Sequence, residues 1–310
     1  MRARSIRQRG VAQWFTLLVV GGMAATAASC GPTAAPAAAA CRLPHPAPGR
    51  SRVPRPEQWF RFLVDRGLDG GTADCSGTSV RWREPVGCQE PPEPTALLPP
   101  RPFREDDLVE SRLTPTTRLV WAVTDHYADG EGLGPVALVR ESATGFDVLA
   151  VGSLRARPQR AHLRLETVQA HTYLVAEGES CEIERDPSTC TRSVVLLRQA
   201  DDRFVPATLV DARGACVGPA RFYLALRDES ALANGWRRRF ELSAALDFRR
   251  DQIVTQEQVI VSDSDPRKAD VPPTLVRRAD AERVIRGVRD RLVVDDVSLW
   301  ARVRSDPEEP

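Results

Sequence analysis

The sequence predicts a mainly β protein: an antiparallel sheet folded as a sandwich, an open barrel or a propeller-like meander, preceded by one short helix. Three observations carry this reading. From about Phe103 to Arg304, apolar and polar residues alternate with period two. Turn-forming residues interrupt the alternation at short spacing. No helical pattern of about 10–15 residues alternates with the strands, as a parallel α/β sheet requires.

The elements follow in chain order. Arg2, Arg4, Arg7 and Arg9 form a basic leader without an acid, and Trp14 to Ala28 supply an apolar stretch interrupted by Gly21 and Gly22. That stretch is too short for a membrane span and suits an export signal. It ends at Ala27-Ala28-Ser29-Cys30, which resembles the lipobox of bacterial lipoprotein precursors, with Ala27 where that family prefers Leu. The resemblance covers the leader alone. It implies cleavage after residue 29, acylation (diacylglycerol and palmitate) at Cys30, and a mature domain outside the cytoplasm, lipid-anchored in the bacterial cell envelope. Ordinary cleavage among the alanines near Ala40 is the alternative. Residues 30–56 hold seven Pro and seven Ala and read as a tether. Within residues 57–90, a helix from Pro56 to Gly67 would align Trp59, Phe60, Leu63 and Val64, and Gly77 to Arg83 would form a strand. Residues 91–102 are a Pro-rich linker, residues 103–304 the β domain and 305–310 a tail.

Inside the β domain, Leu119 to Val123 and Val136 to Val139 flank the Asp129-Gly130-Glu131-Gly132 turn, and Phe146 to Ala150 follow Thr144-Gly145. Leu163-Leu165, Tyr173 to Ala176, Val194 to Leu197, Phe204-Val205 and Phe222 to Leu226 come next. Phe240 to Phe248 alternates cleanly and pairs across Arg250-Asp251 with Ile253 to Val261. Val284-Ile285 and Leu292 to Val294 close the series.

Composition narrows the function. The chain has 310 residues, 42% of them hydrophobic, with 43 basic and 42 acidic side chains, which excludes collagen-like, coiled-coil and wholly disordered chains. Nucleic acid is not an expected partner, because its binding needs a basic face. All basic residues but Lys268 are Arg. Without residues 1–29 the balance is 39 basic to 42 acidic, so charge does not hold the protein on anionic lipid, and acyl chains must. Six cysteines remain besides Cys30, an even number that reads as disulfides in an oxidising compartment. Proximity pairs Cys181 with Cys190 and Cys75 with Cys88, leaving Cys41 with Cys216.

No G-x-S-x-G elbow, H-E-x-x-H helix or P-loop is present, so no catalytic residue, metal ligand or cofactor is assigned. His162 and His171 flank adjacent strands and, if brought together, would make half a metal site; solvated strand ends are the plainer account. Asp125 to Glu131 imitates a calcium loop but lacks the ligand oxygen at Tyr127 and the bidentate Glu at Val136, and Asp263, Asp265 and Asp270 are better explained as turn formers. Trp121 is expected in the core, and Trp300 at the end of the last strand region, partly exposed. Trp236, beside Arg237 and Arg239, is the best candidate contact patch, whereas Arg238 starts on the core side and needs an acid partner. Two function classes remain. One is a non-catalytic envelope lipoprotein whose β domain binds an envelope protein or glycan or serves structurally. The other is an exported hydrolase whose site is assembled by the fold without a local motif.

Overall fold

The computed structural model describes residues 41–44, 53–65, 96–181, 189–268 and 270–306. Cys30, Cys75, Cys88 and the strand expected at Gly77 to Arg83 lie outside these residues, as does the side chain of Cys41. The chain is mainly β, with one large mixed sheet that does not close.

The first strand, β1 (Cys41–Pro44), falls within the stretch read as a tether, and it is followed by α1 (Pro56–Phe60), which continues into a π-helical turn at Arg61–Asp65. The Trp59, Leu63 and Val64 face of this helix is buried, and Phe60 stacks on Phe103 with ring centres 4.3 Å apart. A meander follows: β2 (Leu108–Arg112), β3 (Thr117–Ala122), the short β4 (Asp125–His126), β5 (Gly132–Ser142) and β6 (Gly145–Ala156). The expected hairpin around Asp129-Gly130 is therefore β3 against β5, with β4 inserted before the turn.

Next come β7 (Gln159–Val168), β8 (His171–Cys181) and β9 (Cys190–Ala200), an antiparallel set closed at its end by the Cys181–Cys190 disulfide between directly opposed residues. The short β10 (Arg203–Pro206) runs back along β9 and pairs in parallel with β6, which joins the two groups. Gly152 is required at that crossing, since a Cβ there would lie 2.4 Å from the carbonyl oxygen of Phe204. The curled sheet brings β2 opposite β7, where the Leu163 N–H donates to Ser111 Oγ at 3.0 Å. Its interior holds Leu119, Trp121, Leu138, Leu154, Leu174 and Leu197. Its outer face, including Val120, Val139 and Phe146, is covered by Leu43 of β1 and by Trp59.

The second half contains β11 (Thr208–Val210), β12 (Cys216–Pro219), β13 (Arg221–Ala231), β14 (Arg237–Phe248), β15 (Gln252–Ser264), β16 (Thr274–Val288), β17 (Arg291–Val294) and α2 (Leu299–Ser305). β13 pairs with the first part of β9 and then with β14, and the ladder continues through β15 and β16 to β17. β17 pairs in parallel with β11. The chain returns to β9 through Leu196, whose N–H donates to Ala220 O and whose carbonyl accepts from the Ala207 N–H. The two parallel pairings, two residue pairs each, were not expected from the alternation; they are braces at the joints between antiparallel groups, too short to leave a sequence pattern.

β9 explains the continuous apolar run Val194 to Leu197. Val195 and Leu197 enter the first core, while Val194 and Leu196 enter a second with Leu209, Phe222, Ile253, Ile285 and Leu292. A strand buried on both faces loses the polar half of its alternation.

Residues near the end of the chain were expected to be strand, but Leu299–Ser305 is helical. Ser298 caps it by accepting from the Ala301 N–H, and Leu299 and Val303, four apart, bury one side against Phe240, Leu242, Val259 and Val261. Among the described residues no helix is long and apolar enough to cross a membrane.

Candidate functional site

The contact patch expected at the β13–β14 turn is internally occupied. Gly235, with φ +81°, closes the turn, and Trp236 stands half-exposed after it. Arg239 donates to Glu229, its cross-strand partner, at 2.8 Å, and Arg237 lies 3.7 Å from the same carboxylate. Arg238 is on the opposite side, where its Nε and Nη2 donate to both oxygens of Asp263 at 2.8 and 2.9 Å. The alternation argument for Arg238 therefore holds, and Asp263 has a partner other than a metal. Asp265 accepts from the Arg267 N–H, as a turn former does. His162 and His171 sit toward opposite ends of the β7–β8 hairpin, paired with Glu177 and Val168. The Glu179–Cys181–Cys190 grouping has metal-ligand atoms within reach of one another, but its sulfurs are bonded to each other and are not thiolates. Cys216 is also disulfide-bonded.

A cleft of about 600 Å³ opens beside β4, bordered by Asp107, His126, Glu131, Gln159 and Arg160. Its buried acids are committed. Asp107 accepts from both terminal nitrogens of Arg101 at 2.9 and 2.5 Å and from the Arg104 N–H at 2.7 Å, with His126 Nε2 at 3.2 Å. Burial, and then the Arg101 guanidinium, hold the His126 imidazole below its ordinary pKa. Glu131, only 1% exposed, accepts from Arg155 Nε at 2.7 Å and from Arg221. Arg155 itself lies 4.0 Å from the centre of the Tyr127 ring.

A second site lies on one face of β14–β17. The β13–β14 ladder stops at Ala225 opposite Ser243, because β13 leaves to join β9. Beyond that point Ala244 to Phe248 keep β15 on one edge and have no ladder on the other. The splay opens a groove of about 510 Å³ whose floor is Leu242, Ala244, Leu246, Thr255 and Glu257, with Phe222, Val294 and Trp300 among its walls. It separates the core shared with β9 from the core beneath α2. Glu257 is buried and saturated: Oε1 accepts from Arg283 Nε at 2.9 Å and also from Nη2, while Oε2 accepts the Leu299 N–H at 2.6 Å. Thr255 is 1% exposed, and its Oγ1 has no hydrogen-bond partner among the described residues.

None of the groove residues was singled out from the sequence. One signal was available. The odd positions of β15 read Ile253, Thr255, Glu257, Val259, Val261, so two polar residues interrupt an otherwise apolar face. Trp300 was noted, but as a strand-end residue.

Fold and site together define a mainly β protein built on one twice-curled open sheet, with a groove where two strands part. No protein-family model, curated protein or solved structure matches the chain.

Proposed function

We propose that this is a lipid-anchored envelope protein that acts by binding rather than by catalysis. The observation that carries this reading is the state of its buried acids. Among the described residues four carboxylates are buried, and each is tied to arginine: Asp107 to Arg101, Glu131 to Arg155 and Arg221, Asp147 to Arg42, and Glu257 to Arg283. A general acid or base must reach the proton it moves with a free oxygen, and these carboxylates are already engaged by guanidinium donors. These groups hold strands together. The Asp107–His126 couple is the feature a hydrolase reading would use, yet Asp107 already serves Arg101 and the Arg104 backbone, and the described residues lining that cleft include no serine, threonine or cysteine.

Anchoring at Cys30 remains part of the proposal and rests on the leader. Two measurements test the whole. Intact mass of the mature protein should show diacylglycerol on Cys30, and Cys30→Ala should release the protein from membranes; a mature start elsewhere contradicts the anchor. Solvent extraction of protein purified from membranes should release about one small molecule per chain, chemically unchanged from the envelope pool. Progressive conversion of an added envelope extract into new species contradicts the binding reading.

A further inference from the structure

We propose that the open edge of β16 is a self-association surface, which joins two copies of this chain edge to edge about a two-fold axis through Ala279. The surface goes beyond the binding role and is independent of it.

β16 pairs with β15 from Thr274 to Arg286, but on its other edge β17 covers only Ile285 to Val288. From Thr274 to Val284 that edge carries no ladder among the described residues. A row of unpaired N–H and C=O groups is a template for another strand, and proteins guard such rows with charge, proline or a bulge. The guard here is partial. Pro272 and Pro273 stop short of the span, and the register shift opposite Val261 and Ser262 bulges the strand at Val276, but the pairing runs regularly from Arg277 onward. Leu275 and Val276 stand exposed at the bulged end.

Charge selects a second copy as the occupant. An antiparallel pair related by a two-fold axis keeps matching faces together only when the axis passes through a residue. Centred on Arg277, Arg278, Asp280 or Glu282, the pairing sets that charged side chain against its own copy. Centred on Ala281, it sets Asp280 against the partner's Glu282. Centred on Ala279, it sets Arg278 against the partner's Asp280 and Asp280 against the partner's Arg278, and no like charges oppose. Opposite charges directly across a ladder stabilise it, and like charges destabilise it. Ala279 is also the midpoint of the open span, so this register uses the most edge before β17 intervenes. Both charged side chains are available, 60% and 63% exposed. One Asp280 oxygen accepts from Gln258 at 2.7 Å, and the other lies 3.7 Å from Arg278 Nε, beyond hydrogen-bond length. A single strand pair falls at the small end of specific interfaces, below about 1,200 Å², so association depends on concentration.

The test is sedimentation velocity of the purified full chain over a range of concentrations, joined to cysteine trapping. The wild type should pass from monomer to dimer as concentration rises. Arg278→Asp and Asp280→Arg should each weaken association about tenfold, because each turns two attractive pairs into repulsive ones. Combining them should restore the dimer, and all three variants should melt with the wild type. On mild oxidation Ala279→Cys should give a covalent dimer that dithiothreitol separates, whereas Asp247→Cys, 61% exposed on β14 of the same sheet, should not. A wild type that stays monomeric throughout, a dimer that survives both single reversals, or equal trapping at the two cysteine sites overturns the proposal.

Discussion

The two halves of the sheet, divided by β9, solve the same packing problem differently. In the first half, β3, β5 and β6 are covered on both faces, inside by the curl of the sheet and outside by β1 and the α1 segment, so Leu119 to Val123 are all nearly inaccessible. In the second half, β14, β15 and β16 extend beyond what covers them. The β9 core fills one end of their groove-side face and α2 the other, and the span between them is the groove. Beneath the groove β15 buries Thr255 and Glu257, where the same strand face elsewhere carries Ile253 and Val259. The first half is sealed, and under the proposed binding role the second half is where a partner would be met.

The largest expected effect breaks the seal of the first half. Trp59 is 0% exposed and packs edge-on to Phe146 with ring centres 5.1 Å apart. Trp59→Ala should cost about 4 kcal/mol in urea unfolding. A loss below about 1 kcal/mol would mean that the helix and β1 are ornaments on an independent sheet.

Next is the joint between sheet and helix in the second half. Glu257→Gln leaves Arg283, its side chain 12% exposed, without its counter-charge and weakens the acceptor at the start of α2. It should cost about 3 kcal/mol, as breaking one partner of a buried pair does. The disulfide comes close behind: replacing Cys181 and Cys190 by Ser frees a cross-link of sequence separation 9 and should cost about 2.5 kcal/mol.

A smaller effect is confined to the first half and to acid pH. His126 is held below its ordinary value of 6.5 in the folded protein, so the unfolded chain takes up this proton first. Its contribution to stability is complete above 6.5 and is lost as pH falls through the folded value. His126→Gln should flatten the fall in melting temperature on acidification from pH 7, and an unchanged slope would assign that fall to other groups. The smallest effect is Arg237→Ala, with a side chain 62% exposed and 3.7 Å from Glu229, which should change stability by less than about 0.5 kcal/mol.

Legibility followed the same division. The β14–β15 hairpin was readable because each strand has one covered and one solvated face over much of its length, and the unbroken apolar runs of β8 and β9 marked strands without revealing that two cores share them. β1 was hidden because it lies inside a Pro- and Ala-rich stretch, where Leu43 makes no periodic pattern with its neighbours. α2 was hidden because seven residues span barely two turns, although Ser298 and the Leu299–Val303 spacing announce it in retrospect. The groove was hidden for a different reason. Phe222, Leu246, Thr255 and Val294 belong to four strands, and their meeting depends on β13 leaving β14 at Ala225, which no local pattern encodes.

The contrast between a sealed half and an open half is tested most directly by native-state amide hydrogen exchange on the full chain. Ala244 to Phe248, whose groove-side edge carries no ladder, should exchange by local opening. The amides of β3, β5 and β6 should exchange only on global unfolding. Equal protection across the two halves, or faster exchange in β3, β5 and β6 than at Ala244 to Phe248, would contradict the account.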